Sequence, residues 1–106
     1  MKRLVMLLIV SLALPGCQFV PLTEGGEKAR VLSAAEVQQC TRVGNTTTST
    51  KADILGLNRQ QSVISQELTR LARNNAAVMG GDTVVPASNI VHGSQVFGIY
   101  KCVPGP

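Results

Sequence analysis

Apolar residues crowd the start of the chain and then thin out. The run from Leu4 to Leu14 follows Lys2 and Arg3. A basic start and about eleven apolar residues suit the hydrophobic region of a secretory signal. They fall short of the about 20 residues that cross a bilayer. Residues 18–28 are polar, carry Pro21, Gly25 and Gly26, and lack a period. That composition predicts a short tether, and ten flexible residues have a root-mean-square reach of about 17 Å. Ala29 to Leu32 forms a short strand candidate, ended by Ser33-Ala34-Ala35. Val37 to Thr50 leans toward β structure through Val37, Thr41, Val43 and Thr46-Thr47-Thr48, because β-branched side chains fit a pleated surface. Gly44-Asn45 fits a bulge or a turn within it. The low complexity of Gly44 to Thr50 also admits a loop.

The clearest period belongs to a helix, predicted over Asn58 to Met79. Ile64, Leu68, Leu71, Ala72, Val78 and Met79 recur at helical spacing and define one apolar face. Asn58 and Gln61 have the spacing of a capping box, and Glu67 stands three residues before Arg70, close enough for a weak ion pair. Gly80-Gly81 provides the stop, since glycine accepts the left-handed conformation of a C-terminal cap. Ala72, Ala76 and Ala77 leave room for a sheet to approach. Asp82 to Val85 is the next strand, closed by Pro86, which has no N–H for a sheet interior. Gln95 to Cys102 is the last, and the two read as a hairpin joined through 89–94. Alternation puts Phe97 and Ile99 on one face, and Val96, Tyr100 and Cys102 on the other. With Phe97, Ile99, Val37 and Val43 toward the helix, Cys40 and Cys102 lie on the outer face; a bulge would reverse this locally. The expected fold is α+β: one long helix on a small, mainly antiparallel sheet, in the order β-β-α-β-β.

Charge adds little. The chain has 106 residues with Lys+Arg 10 and Asp+Glu 6. Without Lys2 and Arg3 the excess of positive charge is about +2. Basic residues are scattered, and the aromatic side chains are Phe19, Phe97 and Tyr100. This is no base-stacking platform, so nucleic acid is not an expected partner.

Leu14-Pro15-Gly16-Cys17 resembles the bacterial lipobox, with Pro15 departing from the usual small residue. The resemblance implies a thioether-linked lipid on Cys17, cleavage just before it, and acylation of the new amino terminus. Gln18, where sorted lipoproteins retained inside carry Asp, implies residence in the outer membrane facing the periplasm. The membrane, reached through the lipid on Cys17, is then one partner. The expected organisation is a signal peptide over 1–16, a lipid-anchored tether over 17–28 and a small domain over 29–106. With Cys17 committed to lipid, Cys40 and Cys102 remain, and an exported compartment favours joining them. A small domain gains from such a staple.

The stretch from Leu71 through Met79-Gly80-Gly81-Asp82 to Val85, with Cys40 upstream and Tyr100-Lys101-Cys102 at the end, resembles a family of short bacterial lipoproteins called domain of unknown function 4156. The resemblance spans roughly residues 30–102, and it implies a lipid-anchored envelope protein with no known active site. A weaker similarity is to stress-sensing outer-membrane lipoproteins of the RcsF type. These have a longer tether and four cysteines.

Catalytic constellations do not emerge. The carboxylates after residue 17 are Glu24, Glu27, Glu36, Asp53, Glu67 and Asp82, without the paired arrangement of a glycosidase. His92 is the sole histidine, no Gly-x-Ser-x-Gly elbow accompanies it, and metal ligation lacks a ligand set. The expectation is a non-enzymatic binding or scaffolding module without metal or cofactor, engaging an envelope protein; the alternative is an RcsF-like stress sensor.

Overall fold

The computed structural model of the chain describes residues 20–54 and 57–103. The expected signal peptide and Cys17 lie outside these residues. In chain order the elements are α1 (Glu24–Lys28), β1 (Arg30–Val31), a 3-10 turn (Ala34–Val37), β2 (Thr41–Ser49), β3 (Asp53–Ile54), β4 (Leu57–Asn58), α2 (Gln61–Met79), β5 (Thr83–Pro86) and β6 (Ser94–Lys101). Four strands form one sheet in the order β1-β5-β6-β2, and β3-β4 is a separate hairpin. β1 runs parallel to β5, while β5-β6 and β6-β2 are antiparallel. The class is α+β with one long helix. The element order departs from β-β-α-β-β by the addition of α1 and the β3-β4 hairpin.

α2 forms because Ile64, Leu68, Ala72 and Ala76 repeat every fourth residue and stack on one face. All four are buried, together with Ala29, Val84, Phe97 and Ile99, in a single cluster between α2 and the sheet. Complete burial of a side chain such as Leu68 or Phe97 contributes roughly 1.5–3 kcal/mol. Gly80 ends the helix at φ 89°, donating its N–H toward the carbonyls of the last turn. The start differs from the periodic reading. Asn58 belongs to β4, Gln60 is the N-cap, and no side-chain cap bond forms there. Leu71 is half-buried, Val78 is 87% exposed and Met79 lies at the surface. The apolar stripe therefore follows the 64-68-72-76 row, and Leu71, Val78 and Met79 sit to its side. Ala77 faces α1, not the sheet.

β2 carries an irregularity between Arg42 and Gly44. Arg42 pairs with Tyr100, and the next residue in register with Ile99 is Gly44, so Val43 is the extra residue of a bulge. This turns Val43 outward, against the expectation that it faces α2. Beyond the bulge, Gly44, Thr46 and Thr48 share the helix side with Ile99, Phe97 and Gln95. The contact there is polar: buried Thr48 donates to the Leu68 carbonyl at 3.2 Å, and Asn75 donates to Thr46 at 2.9 Å. Val37 is buried in the 3-10 turn, within the connection that carries the chain from β1 at one edge to β2 at the other.

The segment expected as a tether is docked from Pro21 onward. Thr23 caps α1 by accepting from the Gly26 N–H at 2.9 Å. Asn74 of α2 accepts from the Thr23 N–H at 2.9 Å and donates to the Pro21 carbonyl at 3.1 Å. Arg73 donates to the carbonyls of Ala29 and Glu27. Gly25 and Gly26, which read as flexible composition, are the point of closest approach. A Cβ on Gly25 would lie 2.7 Å from the Ala77 Cβ, and one on Gly26 would overlap the Asn74 side-chain oxygen.

Candidate functional site

The domain has two ends, set by the direction of α2. At about 1.5 Å per residue, the 19 residues of α2 separate them by roughly 28 Å.

At the end where α2 finishes, β1 and β5 begin and β6 closes. Cys40 and Cys102 form a disulfide here, with Cα atoms 4.5 Å apart and a sequence separation of 62. It joins the residue before β2 to the residue after β6. Asp82 reinforces the junction. Its carboxylate accepts from the N–H groups of Cys102 and Val103 at 2.8 and 2.9 Å, and from the Thr83 hydroxyl at 3.0 Å. Burial disfavours its charge, but these three donors, with Lys101 nearby, outweigh it and hold the carboxyl below the usual range. Tyr100 lies against Gly98 across the outer face, with the Arg42 guanidinium 5.8 Å from its ring centre. The amino-terminal chain reaches the domain at this same end, through Pro21 and Thr23 on Asn74.

At the other end, a cleft of about 390 Å³ opens between the β3-β4 region and the β5-β6 turn, over the first turn of α2. Ala52, Ile64 and Ile90 form its apolar lining; Asn58, Arg59, Gln61 and His92 are the polar ones. Arg59 is fixed rather than free to swing. It pairs with both carboxylate oxygens of Glu67 and donates to the Lys51 carbonyl at 3.0 Å. Thr50 also donates to Glu67, at 2.6 Å. The Arg59 guanidinium lowers the pKa of the Glu67 carboxyl against the opposing effect of burial, and Thr50 adds to the lowering. The Glu67 carboxylate in turn raises that of Arg59. His92 takes φ 50° and Gly93 φ 76° in the turn, which is tied back to β2 by the Thr50 N–H on the Gly93 carbonyl at 2.8 Å. The cleft therefore presents hydrogen-bonding groups around an apolar floor, on a frame held by the Arg59-Glu67 ion pair.

The structure joins Cys40 to Cys102, while Cys17 lies outside the described residues. The Arg59-Glu67-Thr50 cluster escapes a reading of the sequence. Its only sequence signal is a lone Glu at position 67, between Ile64 and Leu68 near the apolar stripe. Among the described residues no three His, Cys, Asp or Glu side chains group as metal ligands. No described helix is long and apolar enough to cross a membrane. A family model described as a domain of unknown function (DUF4156) matches residues 20–102. Neither curated proteins nor solved structures yield a match.

Proposed function

We propose that this chain, which belongs to the DUF4156 family, is a lipid-anchored envelope module without enzymatic activity that binds or scaffolds another envelope protein. The observation that carries the reading is the Cys40–Cys102 disulfide in a chain that opens on a basic and apolar leader ending at Cys17. An internal disulfide persists in an oxidising compartment. The leader supplies export, and Cys17 supplies attachment. Gln18 supports the outer membrane as destination, with the domain facing the periplasm. The cleft at the far end of α2 from the entering chain is the surface we assign to the protein partner. Its fixed Arg59 and its Asn58, Gln61 and His92 provide polar recognition around Ile64 and Ile90.

Palmitate labelling and cross-linking in intact cells test this reading. The wild type should label and fractionate with the outer membrane. Cys17→Ser should remain an unlabelled precursor, and Gln18→Asp should shift the protein to the inner membrane. A photo-cross-linking residue at Gln61 should capture one envelope protein, and the same residue at Thr47, on the outer sheet face, should not. Normal labelling and maturation of Cys17→Ser defeats the lipoprotein reading. Equal capture from both positions defeats the assignment of the cleft. A deletion strain with altered envelope-stress transcription would favour the sensor reading over the scaffold.

A further inference from the structure

Among the described residues, four of the six exposed large hydrophobic side chains lie at the end of the domain that receives the amino-terminal chain. Val43, Val78, Met79 and Val103 are exposed there, and Val78 is 87% accessible. Their grouping follows from the fold. Val78 and Met79 end α2, Val43 is the bulge residue of β2 near its start, and Val103 follows β6. β2 begins where β6 ends, with Thr41 opposite Lys101, and the Asp82 N–H after α2 bonds to the Tyr100 carbonyl at 2.9 Å. The Met79 side chain also reaches β2, within 3.4 Å of a Cβ built on Gly44.

Chain length then fixes what this surface meets. Four residue steps separate Cys17 from Pro21, and a fully extended chain covers at most about 14 Å in four steps. Pro21 is held to Asn74 by a 3.1 Å hydrogen bond. Asn74 and Val78 are one turn apart on the same face of α2, so their Cβ atoms are about 6 Å apart. A lipid on Cys17 would bring the bilayer to this end, and the docked α1 leaves little slack to turn the domain over. Arg42 and Lys101 lie at the same end and suit a layer of phosphate headgroups.

We propose that this end rests on the phospholipid surface, with Val78 entering the headgroup layer, so that the lipid anchor orients the domain and presents the cleft away from the membrane. The proposal rests on the lipoprotein reading above. The test uses the full chain purified from cells and reconstituted into phosphatidylethanolamine and phosphatidylglycerol vesicles carrying nitroxide-labelled lipid. Val78→Cys, or Val91→Cys at the opposite end, receives an environment-sensitive fluorophore. Mass spectrometry establishes acylation of Cys17 in the same samples. With Cys17 acylated, the label at position 78 should be quenched by the nitroxide lipid at least threefold more than the label at 91. Equal quenching in acylated protein overturns the orientation and leaves the lipoprotein reading standing. A blue shift at 78 without lipid quenching, growing with protein density, assigns the surface to a second copy and also overturns it. Unacylated Cys17 removes the lipoprotein reading and the proposal together.

Discussion

Gly26→Ala is the sharpest perturbation of the way this domain holds its own amino terminus. The residue sits in the first turn of α1, one position after Gly25, whose neighbour on α2 is Ala77. Alanine is intrinsically the better helix former, by about 1 kcal/mol. Its Cβ, however, would overlap the Asn74 side-chain oxygen. Asn74 can move only by giving up bonds to the Thr23 N–H at 2.9 Å, the Thr23 hydroxyl at 3.2 Å and the Pro21 carbonyl at 3.1 Å. Each is worth about 0.5–1.5 kcal/mol, with exposed bonds such as these at the low end, so losing three costs roughly 1.5–2 kcal/mol. The net effect is a loss of roughly 0.5–1 kcal/mol after the propensity gain. It should appear as local undocking, since the main core cluster contains only Ala29 from this region. Hydrogen exchange read by mass spectrometry should show residues 21–29 losing protection while residues 95–101 keep theirs. A Gly26→Ala variant with unchanged protection over 21–29 and an unchanged thermal midpoint would refute the close-approach reasoning.

Leu68→Ala should cost about 2–5 kcal/mol in chemical denaturation, because the side chain is fully buried; half-buried Leu71→Ala should cost clearly less. Asp82 and Glu67 both have carboxyl pKa values depressed by folding, so each contributes stability above the ordinary carboxylate pKa of about 4. That contribution is lost as pH falls through the folded value. Asp82→Asn should therefore lower stability at pH 7 and flatten its decline between about pH 5 and 3, measured by urea midpoints. Cys40→Ala removes a link across 62 residues. The chain-entropy model puts that at about 4 kcal/mol, seen as a lower denaturation midpoint with the wild type reduced by dithiothreitol behaving alike. Backbone amides of 51–54 and 57–60, in and beside the two-residue strands β3 and β4, should exchange faster than those of β5 and β6, and the reverse order would contradict the short pairing of that hairpin.

The parts of the fold legible in the sequence are those set by short-range periodicity. Helical spacing and the Gly80 stop define α2 to its last residue, with Ile64, Leu68 and Ala72 of the expected stripe in the core, and alternation places Phe97 and Ile99 there too. Spacing alone misplaces the start of α2, because Asn58-x-x-Gln61 has cap spacing while pairing of Asn58 with Asp53 takes that residue into a hairpin. Counting from Cys40 with period two puts Val43 inward, and one bulge residue shifts that count. The tether misleads for a different reason. Gly25 and Gly26 look the same in sequence whether they loosen a linker or admit a neighbouring helix, and the partner that decides, Ala77 with Asn74, lies about 50 residues away. Sequence proximity pairs Glu67 with Arg70, three residues on; Arg59, eight residues before it, and Thr50, seventeen before it, supply the partners of its carboxylate.

The two ends differ in how they are bound, and that difference bears on what each can do. Where α2 finishes, the disulfide, the Asp82 carboxylate on two backbone N–H groups, and the Arg73 and Asn74 bonds to the residues flanking α1 all converge. These ties connect segments far apart in sequence, so opening one leaves the others closed. Where α2 begins, β3 and β4 have two residues each, Arg59 ties this segment to α2 through Glu67, and Ala52 and Ile90 pack against the core. Breaking a buried ion pair by removing one partner is costly. Local opening draws on the weakly tied parts of a fold, and the cross-links among the described residues gather at the disulfide end. A rigid end suits the membrane contact proposed for it, where a lipid on Cys17 would require a fixed tilt. A less constrained end, with Arg59 held in place and Asn58, Gln61 and His92 around Ile64 and Ile90, suits a surface that adjusts to a protein arriving from the opposite side.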